Sequence, residues 1–393
     1  MPPVLRKLRL DGVLSFAPDS KPFDLQTLNV LIGPNGSGKT NVIETLQLLS
    51  ATPVNLRDAV RVGGGPDAWV WKGEPRAASA LIEVVLDGGT PTGRAIRYRL
   101  EFAVSGSRLE LVDEAIEELR PNPKEKAFVY YSFHGGRPVI SPKRKPARGS
   151  RRPLVASKVK LDQSVLAQRK DPDQYPEITW VGETFGDFQF AREWTFGQHA
   201  PVRRPQQADL PTDRLLPDCS NLALVLNQIE HVGDTRVSAL VKRFFPRFER
   251  LSTHISGGTV QFYLHETGFG KPIPATRLSD GTLRFVALLA ALHVPTPPRL
   301  LCIEEPELGL HPDSVALLAD VLAEASQRMQ LIVTTHSDTL VSALSSQPDA
   351  VIACERPGAA TVLHRLDPEK LTTWLDDYRL GDLWRMGELG ANP

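Results

Sequence analysis

LNVLIGPNGSGKTNVIETLQLL, residues 28–49, is the most informative stretch of the 393-residue chain. Leu28–Ile32 is a continuous apolar run, the pattern of a strand buried on both faces. A glycine-rich turn follows, and Lys39 to about Leu49 places Val42, Ile43, Leu46 and Leu49 at helical spacing. Gly33–Thr40 matches G-x-x-x-x-G-K-[ST] between that strand and that helix. Gly33, Pro34, Asn35, Gly36, Ser37 and Gly38 form a loop whose backbone N–H groups curl round phosphate oxygens, and the helix N-terminus adds partial positive charge. Lys39 is expected to reach the β/γ-phosphates and the Thr40 hydroxyl to coordinate Mg2+.

Outward from this stretch, the last third alternates helix and strand. Helices are expected at 281–292, 313–325 and 338–345, and strands at 299–303, 330–334 and 350–354, an order that implies a parallel α/β sheet. Before it, three period-2 segments at 80–86, 95–104 and 108–119, parted by turn residues, predict an antiparallel meander. Residues 56–75, with three consecutive glycines, read as a loop. The middle third, through Pro217, is proline-rich and its elements are not assigned by pattern, beyond helices at 220–231 and 237–245 and a strand at 260–265.

Three further segments carry chemistry. LLCIEEP (300–306) is an apolar strand ending in two carboxylates, Glu304 on the metal side and Glu305 as general base. LSDGTLRF (278–285) puts Ser279 and Gly281 at the start of an apolar helix, either a simple cap or a second anion site. LIVTTHSD (331–338) delivers His336 from the C-terminal end of a buried strand, where ligands bind in parallel sheets.

The composition excludes several classes. With 46 basic and 46 acidic residues, 41% hydrophobic and 23% charged, the chain reads as globular, not disordered or globally basic. No apolar run approaches the roughly 20 residues of a membrane span, and MPPVLRKLRLDGVLSF lacks a secretory h-region, so the expected location is cytoplasmic. Cys219, Cys302 and Cys354 are far apart and suit no disulfide framework or zinc site. Residues 141–160 carry eight Lys/Arg and no acid. They are either a nucleic-acid contact or a solvated loop, and Arg203 and Arg204 form a weaker basic patch. The aromatics of Trp180–Phe196 are read as core in preference to a base-stacking platform.

In their order along the chain, GPNGSGKT, LSDGT, LLCIEEP and TTH resemble the Walker A, signature, Walker B and switch-histidine elements of ABC-type ATPases. More narrowly, GKTN (with Asn41), LSDGTLRF and EEPELGLHP are similar to the SMC/RecF/OLD-like branch, which includes stand-alone ATPases of DNA repair and phage defence. The resemblance implies an α/β P-loop head with an antiparallel β-meander subdomain and a mixed α/β insertion. Lobe I would be 1–120, the insertion 121–270 and lobe II 271–393. It implies ATP and Mg2+ as cofactors, and a homodimer that sandwiches two ATPs. The phosphate loop of one subunit would then face Ser279 and Gly281 of the other, with Glu305 activating water and His336 touching the γ-phosphate. Leu308–Leu310 would be the loop through which the two sites sense each other, and Gln168 the glutamine that contacts Mg2+. Phe16 lies near the expected adenine contact. Glu304 stands where the wider family usually has Asp.

Lys39 and Ser279 are 240 residues apart, with neither heptads nor a C-x-x-C hook between them. That argues against a transporter subunit and against a long-armed chromosome tether. Of the 57 residues after His336, Asp376 and Asp377 lie in a helical context, so no Toprim nuclease is read here. The expected partners are a second copy, DNA and a separately encoded nuclease or other effector.

Overall fold

A computed structural model describes residues 2–106, 108–119, 127–141, 152–153, 160, 162–192 and 194–390. The chain divides into two compact units that interleave in sequence: 1–188 with 349–367 and 386–393, and 189–348 with 368–385.

The first unit is built on an eight-stranded antiparallel sheet. The expected meander forms its middle as Ala80–Leu86, Ile96–Ser105 and Arg108–Glu118. Alternation sets the buried face, with Ile96, Tyr98, Leu100 and Phe102 inaccessible. Helix Pro176–Gly186 covers it, the Tyr98 and Phe185 rings meeting edge-on at 5.1 Å. Leu28–Ile32 is buried along its whole length and pairs in parallel with Val351–Glu355, Val30 opposite Val351. Helix Lys39–Ala51 starts where the glycine turn ends.

The reading of 56–75 as a loop is corrected. Leu56–Val62 is helical, its N-terminus capped by the Asn55 side chain accepting from the Asp58 N–H. Burial of Leu56, Val60, Trp69 and Trp71 holds the segment down, and the three glycines lie past the helix end, Gly64 and Gly65 at positive φ.

In the second unit, Gln189–Ala191, Leu300–Glu304 and Gln330–Thr334 pair in parallel. The expected helices form as Leu222–His231, Arg236–Phe244, Asp280–His293 and Pro312–Ala325. Phe244 stacks on Phe285 at 4.1 Å, where Asp280–His293 packs through its apolar residues. Hairpin Phe248–Ser256/Thr259–Glu266 completes the unit. Asp376 and Asp377 fall between helices Pro368–Leu375 and Leu380–Met386. Trp180, Phe185 and Phe188 are buried in the first unit, and Trp194 and Phe196 in the second; Phe190 is half-buried. The three thiols are buried, and burial pushes that of Cys354 up to about 12. No helix among the described residues is long and apolar enough to cross a membrane.

Glu114 is a carboxylate enclosed in the first unit's core. It accepts from Tyr98 Oη at 2.8 Å, Ser164 Oγ at 2.5 Å and the Val165 N–H at 2.9 Å. Burial outweighs these three donors, Asp113 adds to it, and the carboxyl is pushed up to about 7 from 4.5. The folded state therefore binds the proton more tightly than the unfolded state. The resulting stabilisation is complete below about pH 4.5 and lost by about pH 7, at up to about 1.4 kcal/mol per pH unit. Urea midpoints measured at pH 5, 6, 7 and 8 are expected to fall and then level, with that component missing in Glu114→Gln.

Candidate functional site

The phosphate loop closes on its own unit through glycine. Gly33, Gly36 and Gly38 have φ of 145°, 76° and 104°, a region that side chains avoid. A Cβ on Gly33 would collide with the Cys354 carbonyl, and one on Gly38 with the Thr361 hydroxyl. Lys39, 5% exposed, donates from Nζ to the carbonyls of Gly33 at 2.6 Å and Pro34 at 3.0 Å, so its ammonium lies along the loop. Thr40 is exposed at the loop's end.

A hydrogen-bond relay fixes the loop from behind. Asn41 Nδ2 donates to Ser15 Oγ at 2.7 Å, and Ser15 Oγ lies 2.7 Å from Thr361 Oγ1. Thr361 Oγ1 donates to the Ser37 carbonyl at 2.8 Å. Because the last acceptor is a carbonyl, the protons all point one way, from Asn41 to Ser37. Ser37 Oγ itself is buried with no hydrogen-bond partner among the described residues. Beside the relay is a cavity of about 450 Å3 lined by Leu14, Ser15, Asn41, Trp71, Lys72 and Arg356. Trp71 Nε1 is also buried with no acceptor among the described residues. Phe16 is 4% exposed and borders another cavity, with Leu8, Leu10 and Phe23.

The second unit holds the acidic chemistry. Glu304 ends its strand with its carboxylate 2.8 Å from Arg192 Nε. Glu305 follows at φ 46°, a left-handed conformation that costs a non-glycine residue about 1 kcal/mol or more. Its N–H donates to the Thr334 carbonyl at 3.0 Å, and its Oε1 lies 3.6 Å from His336 Nε2. The structure thus brings the two expected catalytic groups of this unit together, each about one-third exposed. Glu307 orients the histidine: its Oε1 accepts from Thr335 Oγ1 at 2.7 Å and from the His336 N–H at 2.8 Å. Arg284 is half-buried near these acids. Burial lowers its pKa, while charges that include Glu305 and Glu307 oppose the shift.

Ser279 is exposed and caps helix Asp280–His293 by accepting from the Thr282 N–H at 3.1 Å. A Cβ on Gly281 would stand 2.5 Å from the Gly309 carbonyl, so the signature helix and the 308–310 loop are in direct backbone contact. Arg203 braces the start of helix Asp280–His293, donating to the carbonyls of Leu278 at 2.7 Å and Phe196 at 2.7 Å and pairing with Asp280. The expectation of an Arg203–Arg204 basic patch is corrected accordingly. Arg203 is buried because carbonyls converge on its guanidinium, and only Arg204 is exposed.

Gln168 closes the short helix Val165–Gln168. Its amide donates to the carbonyls of Lys160 and Gln163 and accepts from the Lys160 N–H, so it would have to leave these partners to reach a metal. Nearly all of the 141–160 stretch lies outside the described residues. The pattern reading missed Ser15, Trp71, Arg192, Glu307 and Thr361; the run of acids after residue 303 was the one available signal, for Glu307.

The loop suits a nucleoside triphosphate: a cradle that only glycines permit, a lysine across it, and two orphan buried groups, Ser37 Oγ and Trp71 Nε1. Thr40 in the first unit, and separately Glu304 in the second, each carry an oxygen donor of the kind Mg2+ takes.

The family model described as "AAA domain, putative AbiEii toxin, Type IV TA system" matches residues 28–342. No curated protein matches the chain. Among solved structures, an Smc head bound to the C-winged helix domain of ScpA is 15% identical, covering 94% of this chain and 99% of that one with a TM-score of 0.58. The Smc head of Pyrococcus furiosus, with an extended coiled coil and bound to the C-terminal domain of ScpA, is 15% identical, with 96% and 99% coverage and a TM-score of 0.54. The Smc head of Pyrococcus yayanosii, with a coiled coil and joint, is 12% identical, with 96% and 99% coverage and a TM-score of 0.51. At these identities the likeness is one of fold.

Proposed function

The chain belongs to the AAA_21 family of AAA domains and has the fold of an Smc-type ATPase head; from that premise we propose that it binds and hydrolyses ATP as an ATP-dependent homodimer. The observation that carries the reading is the Glu305–His336 pair, a carboxylate and an imidazole 3.6 Å apart at the ends of neighbouring parallel segments.

In this mechanism the N–H groups of Gly33–Asn41 and the Lys39 ammonium hold the triphosphate. Thr40 and Glu304 would each offer an oxygen to Mg2+, which when bound would draw charge from the phosphate oxygens. Glu305 takes the proton of the attacking water, and His336, fixed by Glu307, stands against the γ-phosphate. Ser279 and Gly281 of a second copy close the site. The Gly281–Gly309 contact supports the 308–310 loop as the link through which closure in one copy is sensed.

Lys39→Ala is expected to weaken ATP binding at least tenfold, about 1.4 kcal/mol, as read by calorimetric titration. ATP binding is also expected to change tryptophan fluorescence through Trp71, and Trp71→Phe to remove most of the change. A full response from Trp71→Phe would place the nucleotide outside the cavity that Trp71 lines.

Hydrolysis is proposed to be coupled to DNA or a DNA-processing partner, in repair or phage defence. A second reading is favoured by the toxin–antitoxin wording of the family description. In it, the ATP-loaded chain is a scaffold or sensor that restrains a separately encoded effector such as a Toprim-like nuclease. ATP hydrolysis measured with and without linear double-stranded DNA across a salt series separates the two. Stimulation that fades with salt, and that is lost on deleting residues 141–160, supports DNA coupling. A slow rate indifferent to DNA supports the scaffold.

A further inference from the structure

Arg192 follows the strand Gln189–Ala191, which pairs in parallel with Leu300–Glu304, Ala191 opposite Ile303. The register places Arg192 and Glu304 side by side at the C-terminal ends of the two strands. Arg192 Nε donates to Glu304 Oε2 at 2.8 Å, with side-chain exposures of 13% and 19%. A guanidinium keeps its charge at any physiological pH. A divalent cation approaching Glu304 therefore meets a carboxylate already neutralised and partly desolvated, and competes with the arginine for it.

The segment after Arg192 is tied to the loop carrying Ser279. The Trp194 carbonyl accepts from Arg284, on the helix that Ser279 caps, at 3.1 Å. The Phe196 carbonyl accepts from Arg203 Nε at 2.7 Å, and the same guanidinium donates to the Leu278 carbonyl and pairs with Asp280. Arg203 thus joins segment 194–196 to the residues on either side of Ser279.

We propose that Arg192 holds Glu304 until a divalent cation replaces it, and that its release repositions Ser279 through segment 194–203. Arg192 is then a positioning residue that couples metal occupancy to readiness for the second copy. The inference rests on the reading of Glu304 as the metal-side acid.

The test is a Mn2+ titration of the full chain with a non-hydrolysable ATP analogue, following free Mn2+ by electron paramagnetic resonance. Hydrogen exchange of residues 276–282 is measured with and without metal. Arg192→Met is expected to bind Mn2+ about tenfold more tightly, between the effects of exposed and buried pairs. In the unaltered chain Mn2+ changes exchange at 276–282, and in Arg192→Met that metal-linked change disappears. Mn2+ affinity that is unchanged or weaker in Arg192→Met, or a metal-linked change that persists there, overturns the proposal. Glu304→Gln is the control for the underlying reading: if it binds Mn2+ as well as the unaltered chain, the metal-side assignment fails first. Should Arg192→Met fold poorly, Arg192→Lys keeps the charge without the planar fork and is expected to shift affinity the same way by less.

Discussion

Glu305→Gln is expected to lower steady-state ATP hydrolysis by about 10³-fold, within the range for loss of a general base, while ATP affinity stays within about twofold of the unaltered chain. The substitution is nearly isosteric and leaves the backbone bond from the Glu305 N–H to the Thr334 carbonyl in place. What it removes is the carboxylate 3.6 Å from His336 Nε2, the proposed acceptor for the water's proton. Hydrolysis slows and binding does not, so the ATP-loaded dimer should accumulate, visible as a doubled mass in size-exclusion chromatography with light scattering. Hydrolysis at the native rate would remove Glu305 from the role of base. The left-handed φ of 46° gives a second handle. Glu305→Gly relieves the backbone cost and is expected to raise stability by up to about 1 kcal/mol while abolishing turnover, a divergence that a purely structural residue would not show.

Ser279→Arg is expected to reduce turnover at least 10²-fold with nucleotide binding intact, because the proposed dimer sets this residue against the site of the other copy. Ser279 is exposed, and the helix it caps is anchored by Leu283, Phe285 and the apolar residues that follow. Loss of the cap costs about 1 kcal/mol, too little to unfold the unit. Ser279→Ala removes the same cap without bulk, so comparing the two separates capping from obstruction of the dimer. Loss of nucleotide binding in a folded Ser279→Arg would place the serine in its own subunit's site.

The local structure that depends on consecutive residues could be read from the chain. The loop Gly33–Thr40, the acids closing the strand Leu300–Glu304 and the cap at Ser279 each need a short pattern, and the meander announced itself by period-2 alternation. What escaped is held together by contacts far apart in sequence. Ser15 and Thr361 meet across 346 positions, and neither has a local pattern that marks it. Arg203 looked like surface charge beside Arg204 because sequence does not show the carbonyls of Phe196, Ala275 and Leu278 converging on one of the two. Arg192 is one residue past a three-residue strand, and its meaning comes from the register that sets it against Glu304. In 56–75 the three glycines masked a helix; they follow its end, while Leu56 and Val60 supply the burial that forms it.

The most direct test of the account is steady-state phosphate release from MgATP by the full chain over a range of protein concentrations, beside Lys39→Ala. The account predicts hydrolysis that Lys39→Ala abolishes and a rate per chain that climbs with concentration to a plateau, the mark of a site completed by a second copy. Phosphate release equal in the two proteins, or none from either at any concentration, would contradict it.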